Sequence, residues 1–282
     1  MSVQLTLHTQ PSVPLEAEVL TPDRLAGLSA SEIAVLPVMH GNQAATLGDF
    51  FHVDVGAGLA PAPRVGHWQA LPLRVTIQGD VSRIKRLGEQ MTAGLLHVKG
   101  NVGMHVGSGM SGGEIIVDGH AGDWLGAEMR GGRIMVKGNA GHWVGAAYRG
   151  ARKGMLGGEI IVHGNAGAEV GHYMRRGLIA IAGNCGDFAG ADMLAGSIIV
   201  LGQMGQRAGA GMRRGTILAM QGTKLLPTFN FDCHYRPSFL RLYLQHLRSL
   251  GLPITDVQLN SHYQRWSGDM LELGRGEILL GE

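Results

Sequence analysis

Apolar residues and glycines recur at a fixed period along the middle of the chain, from Gly100 to about Gly222. Four segments of 19 residues share a G-x-x-G-x-x-x-G start, a Met, a Gly three residues later and a β-branched run: GNVGMHVGSGMSGGEIIVD, GHAGDWLGAEMRGGRIMVK, GNAGAEVGHYMRRGLIAIA and GNCGDFAGADMLAGSIIVL. One interval is 26 residues long, because seven extra residues lie in AAYRGARKGMLG. With a weaker unit from Gly79 to Lys99, the repeat has about seven units. Such a period is typical of a solenoid, whose units bury their apolar faces against their neighbours.

Two positions in each unit are apolar and lie two residues apart, which predicts a β-strand with both side chains pointing inward. No unit contains a helical run that could alternate with the strands, which argues against leucine-rich and ankyrin-like repeats. We therefore expect a mainly β protein, built on a right-handed parallel β-helix of about seven turns with glycines at its corners. The first column is Leu96, Ile115, Ile134, Ile160, Ile179, Ile198 and Ile217, and the second is Val98, Val117, Val136, Val162, Ile181, Val200 and Ala219.

A methionine also recurs once per unit, a few residues before the strand. Because a soft, unbranched side chain suits an irregular inner corner, this column predicts core packing rather than a metal or redox role. Burial of each such side chain stabilises the fold by about 1.5–3 kcal/mol, so the stack needs no cofactor. The column is Met91, Met110, Met129, Met155, Met174, Met193 and Met212.

The sequences on either side of the repeat differ from it in composition and divide the chain into three parts. We expect an N-terminal capping domain over residues 1–75, the β-helix over 76–222 and a C-terminal helix and tail over 223–282. A cap covers the open strand edge of the first coil, which would otherwise invite aggregation.

Local signals predict the elements of these flanking parts. Val3–Leu7 and Leu47–Val55 alternate as strands, and Thr21 caps a helix start. Pro237–Leu250 predicts a helix, and Leu271–Leu280 predicts one more strand pair or an extended tail. The apolar side of the helix comprises Phe239, Leu240, Tyr243, Leu244, Leu247 and Leu250.

Composition and charge exclude several classes of protein. The net charge of +2 is too small to predict a nucleic-acid or membrane partner. A chain with 46 glycines could be a disordered glycine-rich protein, but the 45% apolar content excludes that class. The repeat accounts for the glycines instead. Two cysteines, Cys185 and Cys233, give no disulfide framework and no four-thiolate cluster. With no signal peptide and no long apolar span, we expect a reduced, cytoplasmic protein.

Several short motifs resemble catalytic or metal sites, but none predicts one here. Residues 107–112 fit G-x-G-x-x-G and 109–113 fit G-x-S-x-G around Ser111, yet a strand follows where both motifs require a helix. The repeat histidines occupy different positions, so they do not stack into a metal site. Asp232-Cys233-His234 has no matching acid or base. We assign no catalytic residue and no metal ligand.

Basic residues follow one corner of the predicted β-helix. Guanidinium groups bind carboxylates bidentately, so such a line suits a carboxylate-rich ligand or partner. The alternative is a solvated corner, balanced by Glu128 and Asp192. The candidate docking residues are Arg130, Arg149, Arg152, Lys153, Arg175, Arg176, Arg213 and Arg214.

The outward position between the two inner columns is mostly apolar, although an exposed sheet face would be polar there. Either the C-terminal helix or another subunit is therefore expected to cover this outer column, with a subunit interface over part of it. The column is His97, Ile116, Met135, Ile161, Ala180, Ile199 and Leu218.

The chain resembles the C subunit of formylmethanofuran dehydrogenase, and most of all the form in the formyltransferase/hydrolase complex of methylotrophic bacteria. The resemblance rests on LEAEVLTPDRLAGLSASEIAVLPVMHGN and LGDFF in the N-terminal part and on the G-N-x-G repeat. The repeat alone is also similar to the C-terminal domain of large glutamate synthase subunits, which lack the N-terminal part.

The resemblance implies a non-catalytic scaffold in a multisubunit assembly. It implies three partners, of which one (A) is metallohydrolase-like, one (B) is molybdopterin-dehydrogenase-like and one (D) is a formyltransferase. The bacterial complex moves formyl groups between tetrahydromethanopterin and a methanofuran-type carrier and releases formate. The archaeal enzyme makes formylmethanofuran from carbon dioxide with tungsten or molybdenum. Zinc and the carrier are expected on the partners, and this chain binds no cofactor.

Two further hypotheses compete with a structural role. A sugar-active β-helix enzyme needs paired acidic residues in one groove, and Asp118, Glu114, Glu159 and Glu128 do not align in this way. Alternatively, the basic residues serve as a docking strip for a polyglutamyl carrier.

Overall fold

A computed structural model of the protein describes residues 2–56 and 73–281. The elements before the repeat are short. They are β1 (Ser2–Leu7), β2 (Leu15–Glu16), α1 (Pro22–Leu25), α2 (Ala30–Ala34), β3 (Pro37–His40), β4 (Gln43–Thr46), a 3₁₀ turn (Leu47–Asp49) and β5 (Phe51–Gly56).

Each unit of the repeat region contributes one short strand to the large sheet and no helix, and the first unit also contributes a two-residue strand to a smaller, four-stranded sheet. Its strands are β6 (Arg74–Gln78), β7 (Ile84–Lys85), β8 (Leu95–Lys99), β9 (Glu114–Val117), β10 (Arg133–Val136), β11 (Glu159–Val162), β12 (Leu178–Ile181), β13 (Ser197–Val200) and β14 (Arg214–Ala219). The C-terminal elements are β15 (Asn230–Tyr235), α3 (Ser238–Ser249), α4 (Asp256–Asn260), β16 (Tyr263–Gly268) and β17 (Arg275–Gly281).

One large sheet dominates the fold, so the described chain is mainly β. Its 13 strands have the order β15-β16-β17-β14-β13-β12-β11-β10-β9-β8-β6-β1-β5. From β8 to β14 each strand pairs in parallel with the next along the chain, and Ile115, Ile134 and Ile160 lie side by side. The 19-residue period therefore corresponds to strands stacked in register.

A second ladder runs along another side of the stack. Single residues pair in parallel from one unit to the next, mostly 19 positions apart. Each unit thus hydrogen-bonds to its neighbours at two separate places, as a coil of a solenoid does. The ladder contains Val81, Val102, Ala121, Ala140, Ala166, Cys185 and Met204.

The predicted inner columns are confirmed. Every isoleucine and valine of the two columns is fully buried within one continuous core, and so is every methionine of the third column. The methionines therefore pack in the core, as their side-chain flexibility predicts.

Corner glycines are required because adjacent coils approach closely. A Cβ on Gly126, where φ is +61°, would lie 2.5 Å from Cδ1 of Ile160, and one on Gly131 would lie 2.4 Å from the carbonyl oxygen of Ser111. Non-bonded carbon atoms prefer separations of about 3.5–4.0 Å, so both positions exclude larger residues.

Asparagine after the first glycine of a unit has a defined role. The Asn101 Oδ1 accepts a hydrogen bond of 2.9 Å from the backbone N–H of His120, one coil further on. Asn139, Asn165 and Asn184 repeat this bond with the next coil. His120 accepts the equivalent bond through Nδ1 at 2.9 Å. A side-chain ladder therefore connects the coils at the G-N-x-G corner.

The N-terminal predictions are confirmed with one correction. β1 and the Thr21 cap of α1 are present. The strand predicted over Leu47–Val55 is wrong at its start, because Leu47–Asp49 forms a 3₁₀ turn. Asp49 Oδ2 accepts bonds from Thr46 N at 2.8 Å and Thr46 Oγ1 at 3.0 Å, and this local capping overrides the alternating pattern.

The N-terminal part continues the main sheet. β1 pairs in parallel with β6 and antiparallel with β5, so it extends the stack beyond the first coil. The predicted capping domain includes residues 57–72, which lie outside the described residues. The division at residues 75 and 222 stays a prediction.

At the other end, the predicted helix is confirmed as α3, and Gly251 follows it with φ +91°. β17 pairs in parallel with β14 and antiparallel with β16, and β16 pairs in turn with β15. The tail therefore adds a strand to the stack and folds back into an antiparallel edge.

Candidate functional site

The outer column of the main sheet divides into two halves. Ile161, Ala180, Ile199 and Leu218 are buried, whereas Ile116 and Met135 are half-buried. The covered half thus spans β11–β14 and the half-open half spans β8–β10.

Helix α3 covers the first of these halves. Its residues Leu240, Leu244 and Leu247 are at most 2% exposed and pack in one cluster with the outer column. At the end of the helix, the His246 Nε2 lies 2.9 Å from Glu159 Oε1 on β11. The predicted cover by the C-terminal helix is therefore confirmed for β11–β14, and it ends at β11.

Charged residues border the half-open half on both sides. On one side Arg133 Nε donates to Glu159 at 3.0 Å, and Arg133 Nη1 lies 3.6 Å from Glu114. On the other side Asp118 contacts His97 at 2.9 Å and Lys137 at 2.7 Å. The half-open face therefore has an apolar centre and a polar rim, which is the composition of many protein interfaces.

The structure separates the eight predicted docking residues into two groups. Arg213 Nε forms an ion pair of 2.9 Å with Glu272, and Arg214 begins β14 beside Arg275. The other six lie on the seven-residue insertion or on the coils that flank it, and we call them the basic corner: Arg130, Arg149, Arg152, Lys153, Arg175 and Arg176.

The two carboxylates that balance this corner in the alternative prediction, Glu128 and Asp192, have other partners. Glu128 Oε1 accepts a bond of 3.3 Å from Tyr148 N, and Asp192 Oδ2 lies 3.5 Å from His172. Among the described residues, no carboxylate forms an ion pair with any residue of the basic corner.

An aromatic cluster, absent from the sequence-based predictions, holds the insertion. Trp124 stacks on Trp143 with ring centroids 4.9 Å apart, and Tyr148 packs against Trp124 at 5.0 Å. The Tyr148 hydroxyl lies 2.8 Å from Ser108 Oγ and 3.0 Å from His105 Nδ1. The 19-residue spacing of the two tryptophans is the signal that identifies their stacking from sequence.

Burial keeps the polar members of this cluster neutral. Desolvation raises the pKa of Tyr148, and desolvation, with the nearby charges of Arg86 and Lys85, lowers the pKa of His105. A neutral, packed cluster suits an anchor for the insertion and not a proton-transfer site.

A groove of about 450 Å³ lies beside the basic corner. Three glycines supply much of its lining, so a bound chain can approach the backbone closely. Its lining residues are Ser111, Arg130, Gly131, Gly132, Arg133, Gly158 and Glu159.

The motif residues lie at two separate places, at the corner before β9 and on the edge strand β15. Ser111 is exposed at a corner, and β9 follows it where a nucleophile motif requires a helix. Both cysteines are free, and burial raises the pKa of Cys185 to about 12. Over residues 2–56 and 73–281, no group of three His, Cys, Asp or Glu side chains is placed to hold a metal ion. Within the same ranges, no helix has the length and apolar content needed to cross a bilayer.

Comparisons with known proteins point to one family, although no family model matches the chain. The chain is 47% identical over 105 residues to the C subunit of tungsten-containing formylmethanofuran dehydrogenase 2 from Methanothermobacter wolfeii, covering 37% of this chain and 36% of that protein. It is 42% identical over 94 residues to the C subunit of molybdenum-containing formylmethanofuran dehydrogenase 1 from Methanosarcina barkeri, covering 33% and 28%. The chain thus spans about a third of the length of these curated relatives.

A solved structure matches almost the whole chain. It is one chain of the crystal structure of the formyltransferase/hydrolase complex (FhcABCD) from Methylorubrum extorquens in complex with methylofuran. The TM-score is 0.86 and the sequence identity 34%, with 99% of each chain covered. From the N-terminal strand through the repeat to the C-terminal helix, the chain belongs to the family of formylmethanofuran dehydrogenase C subunits.

Proposed function

We propose that this protein is the non-catalytic structural C subunit of a formyltransferase/hydrolase complex. That complex moves formyl groups between tetrahydromethanopterin and a methanofuran-type carrier and releases formate in one-carbon metabolism. The observation that carries the proposal is the match over 99% of both chains to one chain of such a complex. The curated relatives align over little more than a third of the chain, so they support the family more than the reaction.

The proposed role follows from the architecture. We infer that the stacked coils form a right-handed parallel β-helix of about seven turns, since crossovers between parallel strands of one sheet are almost always right-handed. A solenoid held by continuous apolar columns is a rigid rod with extended surfaces, on which other chains can be positioned.

The half-open rows of the outer column are the proposed contact with a partner subunit. Ile116 and Met135 are the apolar centre, and no element of the described chain covers them as α3 covers Ile161 and Ile199. The three proposed partners are one metallohydrolase-like (A), one molybdopterin-dehydrogenase-like (B) and one formyltransferase (D) polypeptide. Zinc and the carrier are assigned to those partners, and a cytoplasmic location is part of the same proposal.

A second candidate is the C subunit of a tungsten- or molybdenum-dependent formylmethanofuran dehydrogenase. The observation in its favour is the 47% identity to a protein from a tungsten-containing enzyme, higher than the 34% with the hydrolase-complex chain. That higher identity covers 105 residues, however, and the lower value holds over nearly the whole chain.

Co-purification tests both candidates. An affinity-tagged chain, expressed in its native host, is expected to bring down three further subunits, and native mass spectrometry gives their masses and copy numbers. The assembled complex is expected to release formate from the formyl carrier, and the isolated chain is expected to release none. Tungsten or molybdenum in the complex, with formyl-carrier oxidation, would favour the dehydrogenase. A lone tagged chain that hydrolyses the formyl carrier would overturn the structural role.

A further inference from the structure

The basic corner brings six cationic side chains without ionic partners together on neighbouring coils, whereas several other arginines of the described chain are paired with carboxylates. Arg86 pairs with Glu89 at 2.9 Å, Arg248 with Asp256 at 2.7 Å and Arg265 with Glu277 at 2.9 Å. Within residues 2–56 and 73–281, none of the six basic-corner residues has a carboxylate partner. Five of the six side chains are exposed, and the sixth, Arg175, is half-buried.

The coil stack brings these charges together. Arg130 and Arg175 occupy the same position on coils that flank the insertion, two rungs apart, or about 9–10 Å at the usual strand spacing. Arg175 Nη2 donates to the carbonyl oxygen of Arg152 at 3.3 Å, which fixes the insertion beside that column. Tyr148 holds the start of the insertion through its bonds to Ser108 and His105.

Like charges at such spacing repel each other, so the arrangement is unfavourable until an anion neutralises it. The Nε of Arg175 is enclosed and has no hydrogen-bond partner among the described residues, so the chain itself does not satisfy this guanidinium fully.

The adjacent groove indicates the shape of the anion. Gly131, Gly132 and Gly158 contribute no side chains to its lining, and Arg130 stands at its edge. Glu159 also lines the groove, but it is already paired with Arg133 at 3.0 Å and bonded to His246 at 2.9 Å. An extended backbone can therefore lie against the glycines while its side chains reach the basic corner.

We infer that the basic corner and its groove bind an extended acidic segment of a partner subunit. This inference rests on the proposed function, because it takes the partner from the same assembly. Two or more carboxylates about three residues apart on an extended chain would match guanidinium groups on coils 9–10 Å apart, since three residues of a strand span about 10 Å.

The experiment uses the full chain and two matched variants. The first carries R130E, R152E and R176E, three exposed residues without ion pairs. The control carries R74E, R241E and R275E, which are also exposed and unpaired but lie away from the corner. Both change the net charge equally, and circular dichroism and thermal unfolding verify that each remains folded.

In the first arm, each tagged chain is tested for capture of the other subunits. The corner variant is expected to capture at least about tenfold less of the other subunits than the wild type, and the control is expected to keep the wild-type yield. Because salt screens exposed charges, the difference between the corner variant and the wild type should become smaller at higher salt. Equal yields from both variants would overturn the inference and leave the proposed function standing. If the wild-type chain captures nothing, the proposed function fails, and the second arm decides the basic corner separately.

In the second arm, a fluorescein-labelled octaglutamate peptide is titrated with each isolated chain, with an octaglutamine peptide as the neutral probe. Wild-type and control chains are expected to bind octaglutamate, and the corner variant to bind it at least about tenfold more weakly. Equal weakening by the two variants would indicate general attraction and overturn the inference. Loss of peptide binding with unchanged capture of the other subunits would also overturn it, and would point to a free polyanionic ligand.

Discussion

The two halves of the outer column have the same position in the repeat and different surroundings. Ile199 in β13 is 2% exposed beneath α3, whereas Ile116 in β9 is half-buried with a charged rim. The inner columns beneath them are equally buried, so the coil stack is the same in both halves. The difference comes from the C-terminal helix, whose last turn reaches β11 through His246 and Glu159.

This contrast separates stability from assembly. In the covered half, the apolar residues contribute to the folding of the chain itself. In the half-open half, residues of the same type contribute less until a partner covers them, because the part of their apolar area that is still exposed adds nothing to folding free energy.

The largest expected difference is between two isoleucine substitutions. Ile199→Ala should lower the free energy of unfolding by about 2–5 kcal/mol, because it leaves a cavity under α3. Ile116→Ala should lower it by about 1 kcal/mol or less, since its side chain is partly exposed and leaves no closed cavity. Urea denaturation of the isolated chains measures both. Equal losses of unfolding free energy would show that the two halves of the outer column are equally covered, which contradicts the proposed difference between them.

A smaller difference is expected at the boundary, between Glu114 and Glu159. Contrary to the expectation that the acidic residues do not align, these two share one column, with Arg133 between them. Glu159→Gln weakens bonds to both Arg133 and His246 and should cost about 1–2 kcal/mol. Glu114→Gln loses one distant contact at 3.6 Å, with a 37% exposed side chain, and should cost about 0–0.5 kcal/mol. Thermal unfolding of the two variants compares them. A greater loss at Glu114 than at Glu159 would place the edge of the cover elsewhere.

Two substitutions in the asparagine ladder should lower the unfolding free energy by equal amounts. Asn101 and Asn184 each accept a backbone N–H at 2.9 Å, the first in the half-open region and the second in the covered region. Each substitution to Ala should cost about 0.5–1.5 kcal/mol, the usual net value of one hydrogen bond. Denaturant midpoints with unchanged slopes test this. If Asn101→Ala cost far less, the stack itself would be weaker there, independent of any cover.

A small effect on the isolated chain is expected for Met135→Asp. Because Met135 is half-exposed, we expect a loss of less than about 1 kcal/mol in unfolding free energy. The same charge would be buried at an interface with a partner, so co-purification of the other subunits should fall strongly. Gln264→Asp, on β16 of the C-terminal edge, is a control for added negative charge. Wild-type recovery of partners with Met135→Asp would exclude this face as the contact.

Sequence reasoning identified the elements that depend on periodicity. The Ile115 and Val117 columns were predictable because only an inward side chain in every coil explains β-branched residues at fixed spacing. The boundaries of α3 were predictable for a different reason, because Pro237 marks the start of a helix and Gly251 marks its end. The turn at Leu47–Asp49 was missed because a local side-chain cap competes with the strand pattern there.

Contacts between segments that are distant in the sequence could not be predicted from the repeat pattern. The pairing of Tyr148 with Ser108 and His105 joins residues about 40 positions apart, and the insertion has no counterpart in the other units from which its path could be inferred. The partners of Glu128 and Asp192 were also not predictable from the sequence pattern. In the folded chain Glu128 accepts a bond from Tyr148 and Asp192 contacts His172, and neither forms an ion pair with an arginine.

By itself, the sequence determined a stack of coils with buried columns. Apolar side chains that recur once per unit can all be buried only if each unit packs against its neighbours in the same way. The sequence also determined that the outer column needs a cover. Only the tertiary structure decided that α3 covers β11–β14 and leaves Ile116 and Met135 half-open. The physical reason is that a helix's own pattern specifies an apolar face, while chain connectivity and the end of the stack specify which surface that face can reach.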